Sequence, residues 1–226
     1  SFPNDFSGQP QKLAIGNPLA AYGIWNAASI MSLDFIQRFD QYDLTMRTPF
    51  FESDCCRWYG TAGIRHTYMW ERFLWRTVSE DFNGQTTAAD TADYLNITSN
   101  QLYGPTVGTG FELYLGHGFS VSLEGSASPM IDFVREIAKY QREDFAIGHK
   151  RSQRDYEFVP EVQGQINVWW YPIEGVQIRV GYEVMAFFDT IAAPDPVSFD
   201  YSALNPAWKL QNRFLDGFSA GIAFIF

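Results

Sequence analysis

The 226-residue chain is long enough for one domain with a sizeable core, and its length favours one domain over two. Aromatic residues make up 17% of it, and no stretch approaches the roughly 18 consecutive apolar residues of a membrane-spanning helix, so a helical membrane protein and a disordered chain are both excluded. Sixteen basic and 26 acidic residues give a net charge of −10, which repels a phosphate backbone and excludes nucleic acid as a partner.

Apolar and polar residues alternate with the period of two that is typical of β-strands, and few segments show a helical period. We divide the sequence into an N-terminal segment, residues 1–28, and a β-barrel, residues 29–226. The N-terminal segment is expected to supply one strand, at Lys12–Trp25, or a plug or periplasmic segment. The first barrel strand is predicted at Ile30–Met46, where a change of parity indicates a β-bulge near Asp40.

Six further strands follow in chain order, several of them joined as hairpins by short glycine-containing turns. They are predicted at Trp58–Glu71, Val107–Leu115, Phe119–Ser126, Phe158–Trp170, Val176–Val184 and Phe214–Phe226.

The connections between these strands alternate in length. Short connections are predicted at 49–57, 116–118 and 171–175, and long polar ones at 78–100, 141–155 and 189–212. Bacterial outer-membrane barrels have short periplasmic turns and long extracellular loops. The sequence therefore predicts an all-β fold, an up-and-down antiparallel transmembrane β-barrel of about eight strands, or up to twelve if the N-terminal side is incomplete.

The composition of the two strand faces decides between a membrane barrel and a soluble one. The polar faces carry Gly, Ser, Thr, Gln and Asn with almost no Lys, which is typical of a packed lumen and not of a solvated surface. The apolar faces carry large aromatic residues that we predict to form the girdles at the membrane interfaces. These girdle residues are Trp58, Tyr68, Trp70, Tyr103, Trp170 and Tyr182. The predicted location is the bacterial outer membrane, with its lipid and lipopolysaccharide as partners.

The predicted last strand carries aromatic residues at Phe224 and Phe226. A terminal aromatic residue resembles the signal that the outer-membrane barrel-assembly machinery recognises. We therefore expect these two residues to be an assembly signal and that machinery to be a partner.

Three segments carry motifs that point to a family: Gly63–Glu71, Ser32–Phe35 and Leu215–Phe224. They contain a Gly-aliphatic-Arg-aromatic pattern followed by a glutamate, and a closing Asp-Gly-aromatic strand. In these motifs the chain resembles the Legionella-type pore-forming outer-membrane proteins and their planctomycete relatives. The resemblance covers most of the chain from about Ile30 onward, and it implies a pore.

The alternation also predicts which charged residues line the lumen. They are Arg38, Arg65, Glu71, Glu112, Glu124, Glu161, Arg179 and Glu183. Two functions remain open. One is a porin for passive diffusion of small solutes or ions, with an acidic lumen that favours cations. The other is a non-conducting structural or surface-anchoring barrel, whose lumen is filled by an Arg–Glu network because an eight-stranded barrel is just wide enough for side chains.

Catalysis is not expected, and a hydrolase with His149 as a base near Asp144 and Asp155 is the third, least favoured function. No cofactor is predicted, and the spacing of histidines and cysteines indicates no metal site. The one cation considered is Ca²⁺ held by loop carboxylates, either Asp90 and Asp93 or Asp189, Asp195 and Asp200. The adjacent Cys55 and Cys56 would form only a strained bridge. A homo-oligomer or a surface-layer protein is the remaining partner class.

Overall fold

The computed structural model describes residues 28–80, 83–145, 148–193 and 210–224. Seven strands account for 86% of these residues. They are β1 (Ile30–Glu52), β2 (Cys56–Val78), β3 (Thr91–Gly116), β4 (Phe119–Arg142), β5 (Gly148–Ile173), β6 (Val176–Ile191) and β7 (Leu210–Phe224). A single 3₁₀ turn, Ala88–Asp90, precedes β3, and the described ranges contain no α-helix. None of the described residues forms a helix that is long and apolar enough to cross a membrane.

Each strand pairs in antiparallel fashion with the next one in the chain, from β1 through to β7. The seven strands curl into a half-barrel whose two edges are β1 and β7. The predicted all-β, up-and-down antiparallel arrangement is therefore confirmed. The eighth strand predicted at Lys12–Trp25, and Phe226 of the predicted assembly signal, lie outside the described residues.

Three tight connections lie at one end of the sheet, which we call the turn end; the opposite end is the loop end. In the β3–β4 turn His117 and Gly118 have φ angles of 55° and 78°, and in the β5–β6 turn Gly175 has a φ of 83°. Positive φ is the conformation that favours glycine and that short hairpin turns require. These turns set the register of long hairpins that reach the loop end.

Two predicted loops are shorter than expected because the strands continue into them. β3 begins at Thr91, opposite Val78, within the predicted loop 78–100, and β5 begins at Gly148 within the predicted loop 141–155. Neither stretch has one consistently apolar and one consistently polar face, so both lack the alternation that marks a strand in sequence. Backbone pairing, which is independent of side-chain polarity, extends the ladders there.

The β-bulge predicted near Asp40 is absent. The β1–β2 register runs without a shift from Ile30 opposite Val78 to Pro49 opposite Tyr59. The parity change arises because Leu33, Phe35 and Phe39 point to one face and the later apolar residues of β1 point to the other.

The sheet has an inner face and an outer face. The inner, concave face carries Met69, Leu102, Met130, Val159 and Phe187, which are fully buried. The outer, convex face carries large apolar side chains that are exposed in the described structure.

Candidate functional site

An apolar layer crosses the middle of the interior. Five fully buried side chains from β2 to β6 form it, and Phe39, Met185 and Leu215 pack against it. The Phe39 and Phe187 rings lie 6.1 Å apart in an edge-to-face arrangement, which joins β1 to β6 across the concave side. We call this set of side chains the central layer.

On the loop side of the central layer, Glu71 is the centre of a buried hydrogen-bond network. Its carboxylate accepts two hydrogen bonds from the Arg213 guanidinium, at 2.7 and 3.1 Å. It also accepts one from the Gln37 side chain at 2.8 Å and one from the Ala193 backbone N–H at 2.9 Å. Arg213 in turn donates to the Ile191 carbonyl. The network satisfies a carboxylate that is 3% exposed, which is the condition for keeping a buried charge.

On the turn side of the central layer, Arg65 is the centre of a second buried hydrogen-bond network. Its guanidinium donates to both carboxylate oxygens of Asp43, at 2.7 and 3.0 Å, and to Glu161 at 2.8 Å. Arg65 and Glu161 lie on β2 and β5, so this ion pair spans the interior. Two networks of buried charge therefore bracket the apolar layer.

The other predicted lumen residues lie on the inner face as well, with one exception. Glu112 accepts a hydrogen bond from Ser120 at 2.7 Å, and Glu124 lies 3.3 Å from Arg47. The last two, Arg179 and Glu183, line an interior cavity.

The exception is Arg38, which lies on the outer face. Its guanidinium stands 5.2 Å from the centre of the Trp70 ring, its register partner on β2. The expectation of an inward position depended on the bulge near Asp40. Because the β1–β2 register runs without a shift from Ile30 to Pro49, the even-numbered residues of that stretch point outward.

Sequence reasoning missed three residues that form ion pairs on the inner face. Asp43 and Arg47 share the inner face of β1, and their parity was obscured by the same misplaced bulge. Arg213 precedes the predicted start of the last strand, so its inward direction was not assigned. For the two β1 residues, an unbroken period of two counted along the strand from Leu33 would have placed both on the face of Phe39.

Two polar cavities lie on the turn side of the central layer. One has a volume of about 120 Å³ and is lined by Asp43, Arg47, Arg65 and Glu124, among others. The other, of about 320 Å³, shares Asp43 with it. These cavities form a polar space that is bounded towards the loop end by the central layer.

Two buried carboxylates, Asp132 and Glu136, lie on the inner face of β4. The Glu136 carboxylate accepts no hydrogen bond from another described residue. Burial of an unpaired carboxylate is costly.

Five rings form a continuous row across β1 to β5 on the outer face: Tyr42, His66, Tyr103, Phe133 and Tyr156. Their successive centroids are 6.0, 4.4, 5.8 and 5.1 Å apart. We call this set the aromatic row. It runs across the strands at nearly one level, because each ring is the register partner of its neighbour or lies two residues from it.

A second group of aromatic side chains lies at the turn end of the outer face. Phe119 and Trp170 are register partners with stacked rings 5.9 Å apart. Trp58 donates a hydrogen bond to Thr109 at 2.6 Å. Along β4, the distance from Phe119 to Phe133 is fourteen steps of about 3.3 Å, which gives a band roughly 35 Å high at the tilt of barrel strands.

Between these two levels the outer face is apolar and exposed. The exposed residues are Leu44, Met46, Ile64, Val107, Phe111, Leu113, Leu123, Ile131, Val162, Ile166, Val168, Val180, Val184 and Phe218, each between 40% and 87% exposed. A continuous exposed apolar surface of this extent marks an interaction site. Beyond the aromatic row the same face becomes charged, with ion pairs such as Arg72–Asp34 at 2.7 Å.

The six predicted girdle residues all lie on the outer face, but at different levels. Tyr103 belongs to the aromatic row, and Tyr68 and Trp70 follow on its loop side. Trp58 and Trp170 lie near the turn end. Tyr182 is in the middle of β6, where its hydroxyl donates to Asp216 at 2.5 Å, so its position differs from the expected strand end.

Some of the residues considered for catalysis and for metal binding form hydrogen bonds with other side chains, and the described ones do not come together as a metal site. Asp144 accepts a hydrogen bond from Arg142 at 2.8 Å, and Asp90 accepts one from Thr87 at 2.6 Å. In the described ranges no three His, Cys, Asp or Glu residues are placed to hold a metal ion. Asp195 and Asp200 lie outside the described residues, as part of 194–209. The adjacent Cys55 and Cys56 are unbridged.

The chain matches no protein-family model, no curated protein and no solved structure.

Proposed function

We propose that this protein is a bacterial outer-membrane β-barrel with a closed interior, which anchors loops at the cell surface and does not conduct solutes. The single observation that carries the proposal is the pairing of an exposed apolar band on the outer face with an interior blocked by the central layer.

The membrane part of the proposal rests on the outer face. Its apolar residues lie between the aromatic row and the turn-end aromatic residues, which is the pattern of a lipid-facing surface with two interfacial girdles. The hydrocarbon-facing band of such barrels is about 25 Å tall, and roughly 35 Å between aromatic levels leaves room for both girdles. The resemblance to Legionella-type pore-forming outer-membrane proteins favours the same location.

The closed interior rests on the contacts across the concave side. The central layer lies between the turn-side cavities and the loop end, and two of its residues, Phe39 and Met185, line the larger cavity. On the loop side of this layer the Glu71–Arg213 pair joins β2 to β7, and on its turn side the Arg65–Glu161 pair joins β2 to β5. A pore would have to break these contacts.

Reconstitution in planar bilayers tests the closed interior. Folded wild-type protein, identified by its heat-dependent gel mobility, should give no conductance steps. A Met130→Ala/Phe187→Ala variant removes the middle of the central layer and should give small steps, whereas Leu123→Ala, on the outer face, should not. Conductance by the wild-type protein would overturn the closed interior and leave the membrane assignment standing.

A porin is the second candidate, and the two turn-side cavities favour it because they form a polar space on the concave side. Three carboxylates, Asp43, Glu124 and Glu183, line them together with three arginines, Arg47, Arg65 and Arg179. If wild-type protein conducts, exchanging Glu124 for Lys should shift its selectivity towards anions. An unchanged selectivity would show that the current bypasses these cavities.

A further inference from the structure

Two like-charged pairs face each other across β4 and β5 on the outer face, on the loop side of the aromatic row. Arg135 is the register partner of Arg154, and Lys139 is that of Lys150. Like charges directly opposite each other destabilise a sheet. The chain has only four lysines and a net charge of −10, so two opposed lysines are not the result of a generally basic surface.

The two arginines also lack partners among the described residues. Neither Arg135 nor Arg154 makes an ion pair or a side-chain hydrogen bond to another described residue. Other arginines of this face differ: Arg72 pairs with Asp34 at 2.7 Å, and Arg76 with Glu143 at 3.2 Å. The unpaired guanidinium groups are therefore free to bind an anion from outside.

These guanidinium groups line a groove of about 570 Å³. Trp70 and Tyr68 supply flat aromatic surfaces to it, and Ser99 supplies a hydroxyl group. One acid, Asp155, also lines the groove, and its carboxylate accepts a hydrogen bond from the Tyr156 backbone N–H at 2.9 Å. The groove thus offers two cations against one carboxylate, with apolar rings beside them.

The surface next to the groove is apolar. Ile131, Phe133 and Phe158 lie directly towards the turn end and are 45% to 59% exposed. A ligand that fills the groove would therefore have an anionic headgroup and an apolar part below it. Because aromatic rings stack well on sugar rings, the headgroup chemistry that fits best is a phosphorylated sugar.

We propose that this groove binds the phosphorylated sugar headgroup of an outer-leaflet glycolipid, with its acyl chains along Ile131 and Phe158. The inference rests on the proposed function, because only a barrel with its loop end outward presents the groove to the outer leaflet. The bound phosphate lies between Arg135 and Arg154 and removes their repulsion. Lys139 and Lys150 add long-range attraction for the same headgroup.

Native mass spectrometry of the full chain folded in detergent micelles tests this site. The probes are diphosphoryl lipid A, the same lipid with both phosphates removed, and inorganic pyrophosphate. One diphosphoryl lipid A should bind per chain, and Arg135→Gln or Arg154→Gln should weaken it about tenfold, since each removes a charge-assisted contact. Arg135→Lys should retain most of the affinity, and Arg57→Gln, which removes one charge at the turn end, should retain all of it.

The outcomes separate the site from the fold. Equal binding of the dephosphorylated lipid, or unchanged affinity in both Gln variants, overturns the site. Pyrophosphate binding as tightly as lipid A overturns the lipid and leaves only an anion site. Should the variants not fold, the wild-type comparison of the two lipids still decides. Wild-type protein that fails to insert into vesicles counts against the proposed function itself, whereas insertion without phosphate dependence counts against this inference alone.

Discussion

Arg213 of β7 and Glu71 of β2 form a two-point ion pair across the concave side of the sheet, with N–O distances of 2.7 and 3.1 Å. The two residues are 142 positions apart in the sequence, so the contact depends on the curl of the whole sheet. Such a pair is stable only when its remaining polar atoms are also satisfied, and Gln37 and Ala193 do this for Glu71. The pair therefore forms only when the sheet has curled into its half-barrel shape.

Removal of the carboxylate should be strongly destabilising. Glu71→Leu leaves the Arg213 guanidinium buried without a partner, which costs about 3–5 kcal/mol. Urea unfolding of protein inserted in lipid vesicles, followed by tryptophan fluorescence, measures the loss. Glu124→Gln is the matched control, since its half-exposed pair with Arg47 should contribute at most about 1 kcal/mol. Equal losses in the two variants would mean that the Glu71 network does not hold the sheet together.

A substitution on the inner face of β4 is expected to raise the stability of the protein. Glu136→Gln replaces a fully buried carboxylate that has no described partner with a neutral side chain of the same shape, and should stabilise the protein by about 1–3 kcal/mol at neutral pH. The same urea unfolding measures the gain. Glu143→Gln, at an exposed position paired with Arg76, should change stability little. A destabilised Glu136→Gln would reveal that this carboxylate has a partner, such as a bound cation.

Close strand packing at Gly104 gives a third prediction. A Cβ atom there would lie 2.3 Å from the Pro129 carbonyl oxygen, whereas at Gly164 it would have no heavy atom within 4 Å. Gly104→Ala should therefore force β3 and β4 apart and cost about 1–3 kcal/mol, and Gly164→Ala should be close to neutral. Folding yield in detergent, scored by heat-dependent gel mobility, separates the two. If the two variants fold equally well, β3 and β4 can move apart at Gly104 without a measurable loss of stability.

Much of the fold can be predicted from the period of two, but only where one strand face is apolar and the other is polar. Between the aromatic row and the turn end, apolar residues point outward, and parity correctly placed Arg65, Glu112 and Glu161 on the inner face. Beyond the row the contrast reverses, since the outer face carries Arg38 and the inner face carries Phe39. Parity taken from hydrophobicity alone fails there.

The contacts that cross the concave side had no local signal in the sequence. Arg65 and Glu161 are 96 residues apart, and their meeting depends on how tightly the sheet curls. Alternation places each residue on a face but does not say which residue stands across from it. For the same reason the sequence indicated a charged interior and left a pore and a filled lumen as open alternatives, since the central layer is visible only when β2 and β6 are brought together.

A charge placed in the apolar band tests the membrane assignment most directly. Leu123 lies on the outer face between the aromatic levels and is 62% exposed in the described structure. On a water-soluble protein, Leu123→Arg at such an exposed site should change stability by no more than about 0.5 kcal/mol. In a bilayer the same change near the midplane should cost about 2–4 kcal/mol. Leu74→Arg is the matched control, because Leu74 lies on the same face at the loop end, opposite Asp34. We expect unfolding from vesicles to show a large loss for Leu123→Arg and a small one for Leu74→Arg. Similar small losses for both would mean that the outer face is not in contact with lipid, and the barrel would then have to cover this surface with protein.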